Sequence, residues 1–258
     1  MTRNGDAITS ETLEKGLRIL DLYNGEVQGF TISEIARRLG VNKTSVYRFV
    51  NTYVKLGYLR RDEQTRLYKL GVRTMALAYS FLQRAELVEL VKPLVDEVHK
   101  EHDLHVDVGI VHGDAIYLIY RRESKDTLAF RHFTAGSGLY YLATGKAAMA
   151  FFEPDDLKAL VDRLVLEPKT AKTITDKKLL LKDLADIRKK GYSVNREEFV
   201  PGLIAMGAPL FNLRSSAVVG GVSFDASTTR YSIPEFEQQY SALLVELAKK
   251  LSAVVSNV

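Results

Sequence analysis

Residues 31–58 read TISEIARRLGVNKTSVYRFVNTYVKLGY. Their apolar residues follow the i, i+3, i+4 spacing of a helix twice, with a break at Gly40. Gly40 tolerates the left-handed backbone that ends a helix, and Asn42 is a good N-cap for the next one. Thr31 and Glu34 have the spacing of a capping box, which fixes where the first of the two helices begins. The pattern predicts a helix-turn-helix.

The sequence on either side completes a small domain of residues 1–73. Upstream, an apolar stripe predicts a helix from about Glu11 to Asn24. Downstream, two short alternating segments between Gly57 and Gly71 are separated by a polar turn, which predicts a β-hairpin. A hairpin in this position is the wing of a winged helix-turn-helix domain.

The helix predicted over residues 43–56 has a polar face with almost no acid. Hydrogen-bond donors of this kind suit the major groove of DNA, where they meet base edges and phosphates. The alternative is a solvated surface, although such surfaces usually mix both signs of charge. The candidate DNA contacts are Arg37, Lys43, Thr44, Ser45, Tyr47, Arg48 and Asn51 on the helices, with Arg60, Arg61 and Arg66 flanking the tip of the wing.

The distribution of charge supports the DNA interpretation. The whole chain carries a net charge of +4. Residues 31–73 hold 10 Lys and Arg against 3 Asp and Glu, whereas residues 74–258 hold 23 against 24. The basic excess therefore belongs to the helix-turn-helix and the wing, as expected for a surface that faces phosphates.

Length and composition place the rest of the chain. At 258 residues the chain is long enough for two domains, and 46% apolar with 26% charged residues is an ordinary globular composition. No apolar run is long enough to span a membrane, no signal peptide is recognisable, and the absence of Cys excludes disulfides and thiolate chemistry. We expect a cytoplasmic protein that does not interact with a membrane.

The C-terminal part is predicted to be an α+β domain with an antiparallel sheet, residues 103–258, joined by helical residues 74–102. In the joining segment a second helix is expected to begin near Pro93, because proline is tolerated in a first turn. The predicted strands are 104–111 and 115–122, which form a hairpin, then 127–133, 205–211 and 217–224. The predicted helices are 143–152, 155–164, 176–190 and 234–255.

Enzymatic motifs are absent or incomplete in this part. Gly145-Lys146 lacks the upstream glycine and the following Ser or Thr of a phosphate loop, and no nucleophile elbow is present. His99, His102 and His105 with Asp107 raise the possibility of a metal site, but His105 is expected beyond the end of the helix that carries the first two. A polar helix end is the simpler interpretation, so neither a metal nor a cofactor is expected.

The order of these segments resembles a known family. ETLEKGLRILDLY, the helix-turn-helix and a wing ending in YKLG are similar to the DNA-binding domain of the IclR family of bacterial transcription regulators. GSGLYYLATGKAAMAFF and KKGYSVNREEFVPGLIAMGAPLF resemble segments of that family's C-terminal domain, so the resemblance covers nearly the whole chain. It implies a GAF-like effector-binding domain, a small organic acid as effector, aromatic acids included, and a homodimer or a dimer of dimers.

The resemblance also implies where the effector would bind. The family's pocket positions, together with one tyrosine that could instead belong to the core, are Leu139, Tyr140, Ala143, Thr144, Asn195, Leu203, Ala205, Ser223 and Asp225. Arg121, Arg122 and Arg131 are candidates for pairing with an effector carboxylate, although a surface position is the commoner fate of arginine.

The expected function is regulation of transcription, as repressor or activator, by operator binding that a small carboxylic acid modulates. One alternative is an enzyme with an appended winged-helix domain. Another is a protein-interaction module whose helix-turn-helix no longer binds DNA.

Overall fold

The computed structural model describes residues 9–23, 28–84, 86–125 and 135–256. The chain divides into two compact units, Met1–Arg84 and Ala85–Val258. The predicted joining segment, residues 74–102, is thus shared between the two units. None of the described helices is long and apolar enough to cross a membrane.

The N-terminal unit is a winged helix-turn-helix. Its elements are α1 (Glu11–Asp21), α2 (Ile32–Leu39), α3 (Lys43–Leu56), β1 (Leu59–Arg61), β2 (Tyr68–Leu70) and α4 (Arg73–Arg84). Thr31 and Glu34 form the predicted capping box at the start of α2, and Gly40 ends that helix with φ of 65°. The Asn42 side chain accepts a hydrogen bond from the backbone N–H of Ser45 and so caps α3.

The core of this unit is small and continuous. Ile19 from α1, Ile35 from α2, and Val46 and Val50 from α3 are fully buried. The wing is anchored to this core, because Leu59 and Tyr68 are also buried in it. Packing of all three helices and the wing on one core fixes the orientation of the exposed face of α3.

The helix α5 (Glu86–His102) begins seven residues before the predicted position and carries Pro93 in its interior. Proline there removes one backbone hydrogen bond. Burial of Val91 and Val95 in the core of the C-terminal unit favours the longer helix. Tertiary packing therefore overrides the local signal at Pro93.

The C-terminal unit is an α+β domain with a six-stranded sheet. Its further elements are β3 (His105–His112), β4 (Ala115–Arg122), β5 (Ala135–Gly138), α6 (Ala143–Met149), α7 (Pro154–Arg163), α8 (Lys177–Lys190), β6 (Ser193–Arg196), β7 (Leu203–Phe211), β8 (Val218–Ser227) and α9 (Ile233–Val255). The strand order is β5-β4-β3-β8-β7-β6, and every pair is antiparallel. The predicted β3–β4 hairpin is confirmed, whereas the strand predicted over 127–133 lies outside the described residues.

Alternation along the central strands separates the two faces of the sheet. On β8, Val222 and Phe224 join the main core with α5 and α9. The residues between and after them, Ser223 and Asp225, point to the opposite face, as successive strand residues must. That opposite face carries α6, and a second core formed with α7 and α8 lies beyond it.

Candidate functional site

In the N-terminal unit, the polar face of α3 is exposed as predicted. Lys43, Thr44, Arg48 and Asn51 are exposed, Tyr47 is 54% exposed, and Ser45 is half-buried. Among the described residues, no carboxylate lies within salt-bridge distance of Lys43 or Arg48. A row of unneutralised donors on a helix held by its buried face can meet a phosphate backbone and base edges.

The basic residues of the second helix and the wing divide into two groups. Arg37, Arg60, Arg61 and Arg66 are exposed, and Arg61 lies over the Tyr68 ring at 5.9 Å. Lys69 instead pairs with Asp62 at 2.7 Å, and this hydrogen bond, with others from Thr65, lowers the pKa of Asp62. The Asp62 pair fixes the wing tip, and the four arginines remain as candidate phosphate contacts of the second helix and the wing.

In the C-terminal unit, a cavity of about 50 Å³ lies between the sheet and the start of α6. Strands β3, β4, β6, β7 and β8 supply its floor, and α6 with Phe199 covers it. The lining residues are His105, Asp107, Gly109, Ile116, Leu118, Arg121, Leu142, Ala143, Thr144, Asn195, Phe199, Leu203, Ala205, Ser223 and Asp225.

Cross-strand pairing brings the charged residues of the cavity together. Asp107 on β3 is paired with Arg121 on β4 and with Ser223 on β8. Two residues earlier on β3, His105 is paired with Asp225. Side chains of directly opposed residues on one face lie within contact distance. Two adjacent rows of the sheet thus form one polar cluster.

The distances in this cluster are short. The Arg121 guanidinium donates to both oxygens of Asp107, with Nε to Oδ1 at 2.7 Å and Nη2 to Oδ2 at 2.5 Å. His105 Nε2 lies 3.2 Å from Asp107 Oδ1 and 4.0 Å from Asp225 Oδ2. Ser223 donates to Asp225 Oδ1 at 2.9 Å. Asp107 is therefore fully engaged, whereas one oxygen of Asp225 faces a ring nitrogen beyond hydrogen-bond distance.

Burial and the neighbouring charges shift the pKa values in this cluster. Burial raises the pKa of Asp225 to about 6, although the charge of His105 opposes the rise. Burial acts to lower the pKa of His105, but the hydrogen bond to Asp107 and the charge of Asp225 outweigh it and raise this pKa. Burial also opposes ionisation of Asp107, whose pKa is nevertheless lowered by Arg121 and His105. Asp107 is thus an anion at neutral pH, whereas Asp225 ionises at a higher pH than an ordinary carboxyl group.

Glycines allow α6 to cover the cavity at close range. A Cβ on Gly207 would lie 2.3 Å from the carbonyl oxygen of Ala143, and one on Gly221 would lie 2.6 Å from that of Thr144. Ser193 donates to the Ala143 carbonyl at 2.7 Å. The first residues of α6 therefore rest directly on β7 and β8.

Seven of the nine residues that the resemblance assigned to the pocket line this cavity: Ala143, Thr144, Asn195, Leu203, Ala205, Ser223 and Asp225. The lining does not include Leu139 or Tyr140, which are buried in the second core. Tyr140 donates its hydroxyl to the Glu167 carbonyl at 2.7 Å. Of the arginine candidates, Arg121 lines the cavity, Arg122 pairs with Asp96 instead, and Arg131 lies outside the described residues.

The histidines that suggested a metal site do not form one group. His99 Nδ1 lies 2.9 Å from the Leu104 carbonyl oxygen, and the His102 ring contacts Tyr240. His105, Asp107 and Asp225 do come together, with one potential ligand atom from each within 4.8 Å of the others. The Arg121 guanidinium on Asp107 would repel a second cation there, which favours an organic ligand.

Comparisons with known proteins agree with both units. A family model of the IclR helix-turn-helix domain matches residues 12–63, and a model of the bacterial transcriptional regulator IclR C-terminal domain matches residues 78–253. The chain is 33% identical over 241 residues to the HTH-type transcriptional regulator BhcR of Paracoccus denitrificans, covering 93% of this chain and 85% of that protein.

Two solved structures show the same fold. An IclR family transcriptional regulator from Brucella abortus superimposes with a TM-score of 0.81 at 19% identity, covering 98% of this chain and 96% of that chain. An IclR homolog from Microbacterium hydrocarbonoxydans, complexed with 4-hydroxybenzoate, gives a TM-score of 0.69 at 19% identity, covering 96% and 100%.

Proposed function

Because the chain belongs to the IclR family of bacterial transcriptional regulators, we propose that α3 and the wing bind operator DNA and that a small organic acid in the C-terminal cavity modulates this binding. The observation that carries the DNA part is the exposed, acid-free face of α3 on a domain whose basic excess is confined to residues 31–73. The relatives named above are regulators, which supports a protein that acts in the cytoplasm and is not an enzyme.

The effector part rests on the cavity. Seven residues assigned by resemblance line it together with a buried cluster of charges. The 4-hydroxybenzoate in the Microbacterium homolog supports a carboxylic acid as the class of effector. An acid that binds one arrangement of the protein better than another would shift the balance between them, towards repression or activation.

The oligomer we propose is a homodimer or a dimer of dimers. On α4, Met75 and Tyr79 share one side and Leu77 and Phe81 the other, each more than half exposed, and apolar side chains exposed on both sides of a helix favour contact with another chain. Two-fold symmetry would present two copies of α3 to half-sites one or more turns of DNA apart. Phe81→Glu is expected to lower the molar mass measured by light scattering, and an unchanged mass would exclude α4 from the interface.

The DNA part is tested by selection of duplexes from a random pool. The protein is expected to enrich an inverted repeat. Arg48→Ala is expected to weaken binding to the selected sequence at least tenfold and to relax specificity, because a base contact is worth about 1–3 kcal/mol. Arg163→Ala removes an exposed charge from α7 and is the matched control. Enrichment of no sequence would favour a module that has lost DNA binding, and equal binding by the Arg48 variant would exclude Arg48 as a base contact.

The competing proposal is an enzyme with an appended DNA-binding domain. The cluster of His105, Asp107 and Asp225 is the observation that favours it, since perturbed pKa values gather at catalytic sites. Incubation with each acid that raises the melting temperature, followed by mass spectrometry, separates the two proposals. A regulator returns the acid unchanged.

A further inference from the structure

The cavity of the C-terminal unit limits the size of its ligand. Its volume is about 50 Å³. An engineered cavity that binds benzene measures roughly 150 Å³, and a single water needs roughly 10–15 Å³ on the same kind of scale. The space therefore admits roughly three to five small atoms, and an aromatic ring fits only if the walls move.

The walls that could move are held in place. Phe199 is stacked on Tyr141 with ring centroids 5.4 Å apart. Asn195 donates to the Tyr141 carbonyl at 2.7 Å and accepts from the backbone N–H of Glu198 at 3.0 Å, which ties the segment before Phe199 to the start of α6. Gly207 lets that same helix end rest on β7. The small volume is thus built into the packing around it.

The charges around the space select a ligand of mixed polarity. Arg121 and His105 are the cations, and Asp107 and Asp225 are the carboxylates. An acid with no hydrogen-bond donor would place its carboxylate next to Asp225 and leave Asp225 Oδ2 without water or a hydrogen-bond partner. A donor on the carbon beside the ligand's carboxylate could pair with Asp225 Oδ2, which lies 4.0 Å from His105 Nε2 and so beyond hydrogen-bond distance of it.

We propose that the cavity binds an acid of about two or three carbons that carries a hydrogen-bond donor, a hydroxyl or an ammonium group, next to its carboxylate. This inference rests on the proposed function, because it names the effector of that same site. The carboxylate lies on the side of His105 and Arg121, and the donor pairs with Asp225.

Glycolate, glycine and propionate test the proposal, because each has five non-hydrogen atoms and they differ in one group: hydroxyl, ammonium or methyl. Binding of each to the full-length protein is measured by calorimetry and by the shift of the melting temperature. We expect glycolate or glycine to bind at least tenfold more tightly than propionate, because only propionate leaves Oδ2 of Asp225 without a hydrogen-bond donor. Which of the two donors binds identifies the hydroxy or the amino acid class.

The size limit is tested with benzoate and 4-hydroxybenzoate. Neither is expected to shift the melting temperature of the wild-type protein, whereas Phe199→Ala is expected to gain benzoate binding by opening the cover of the cavity. Leu213→Ala, at an exposed loop position, is the matched control and is expected to leave all affinities unchanged. Ala205→Leu fills the space and is expected to abolish binding of the short acids.

Three results would overturn the inference. Propionate binding as tightly as the donor acids would contradict the proposed selection, and so would a preference of the wild-type protein for an aromatic acid. If Zn²⁺ or Mn²⁺ alone shifts the melting temperature and no acid does, the cluster is a metal site. An aromatic acid as the sole ligand would contradict this inference but leave the proposed function standing, whereas the absence of any acid ligand would contradict both.

Discussion

At the scale of single residues, Asp225 should make the stability of the C-terminal unit depend on pH. Its pKa is raised from 3.8 to about 6 by burial. A carboxyl with a raised folded-state pKa stabilises the fold at low pH, and that contribution is lost as pH rises from the unfolded to the folded pKa. The pKa of His105 is raised as well, so this residue also stabilises the fold at low pH. That contribution is lost as pH rises above the ordinary pKa of histidine.

The variant Asp225→Asn should remove this loss. As pH rises from 4 to 7, the free energy of unfolding of the variant is expected to increase relative to wild type by up to about 3 kcal/mol. This is the free-energy equivalent of the raised pKa of Asp225. Denaturant titrations at each pH measure the difference, and Asp114→Asn, at an exposed turn position, is the control. A constant difference across this range would show that Asp225 is ionised throughout.

Lys146 is a second residue whose charge is compensated inside the fold. It is fully buried, and its Nζ lies 2.7 Å from Glu198 Oε1 and 2.9 Å from Asp183 Oδ2. Burial raises the pKa of Glu198, and the charge of Lys146 opposes that rise. The pair joins α6 to the segment that carries Phe199, so it supports the cover of the cavity.

Replacing only Lys146 should lower the free energy of unfolding more than replacing both Lys146 and Glu198. Lys146→Met leaves Glu198 buried without its partner, and we expect a loss of about 3–5 kcal/mol in the free energy of unfolding. Adding Glu198→Gln should recover part of that loss, with a coupling energy of at least about 1 kcal/mol in a double-mutant cycle. Additive effects of the two substitutions would mean that the ion pair does not stabilise the fold.

At the scale of elements, the contact between α6 and the sheet depends on glycine. Gly207→Ala places a Cβ against the Ala143 carbonyl, and the overpacking should cost about 2–3 kcal/mol in unfolding free energy. Gly191→Ala is the control, because its Cβ meets nothing and only the left-handed backbone is strained, at roughly 1–2 kcal/mol. The Gly207 variant should also lose affinity for the acid, whereas the Gly191 variant should keep it.

Some elements could be predicted from sequence and others could not. The β3–β4 hairpin follows from alternation on both sides of His112-Gly113-Asp114, and α3 follows from its cap and apolar spacing. The sequence does not predict strand β6, because SVNR is short and polar and its side chains bind the backbone at the start of α6. Local patterns do not encode contacts of this kind.

The candidate site shows the same limit. His105 and Asp107 belong to the cavity because β3 pairs with β8, more than 100 residues away in the chain. No spacing within β3 reveals that pairing, so the sequence alone suggests these two residues only as part of a metal site. Resemblance assigned seven of the other lining residues to the pocket, because it carries information about tertiary structure that a periodicity lacks.

At the scale of the whole molecule, charge is divided between the units, which leads to a test of how the protein holds DNA. Each phosphate contact releases counterions, so the logarithm of the binding constant falls with the logarithm of salt concentration by about 0.9 per contact on duplex DNA. Replacing Arg60, Arg61 and Arg66 by Gln should reduce that slope by roughly 2–3 without changing the preferred sequence. The control replaces Lys158, Lys178 and Lys182, which are exposed on α7 and α8, and so removes the same net charge. The slopes are measured by anisotropy titrations between 50 and 200 mM salt, roughly the range over which such contacts dominate. If both triple variants change the slope equally, the overall charge of the protein rather than the wing determines DNA affinity.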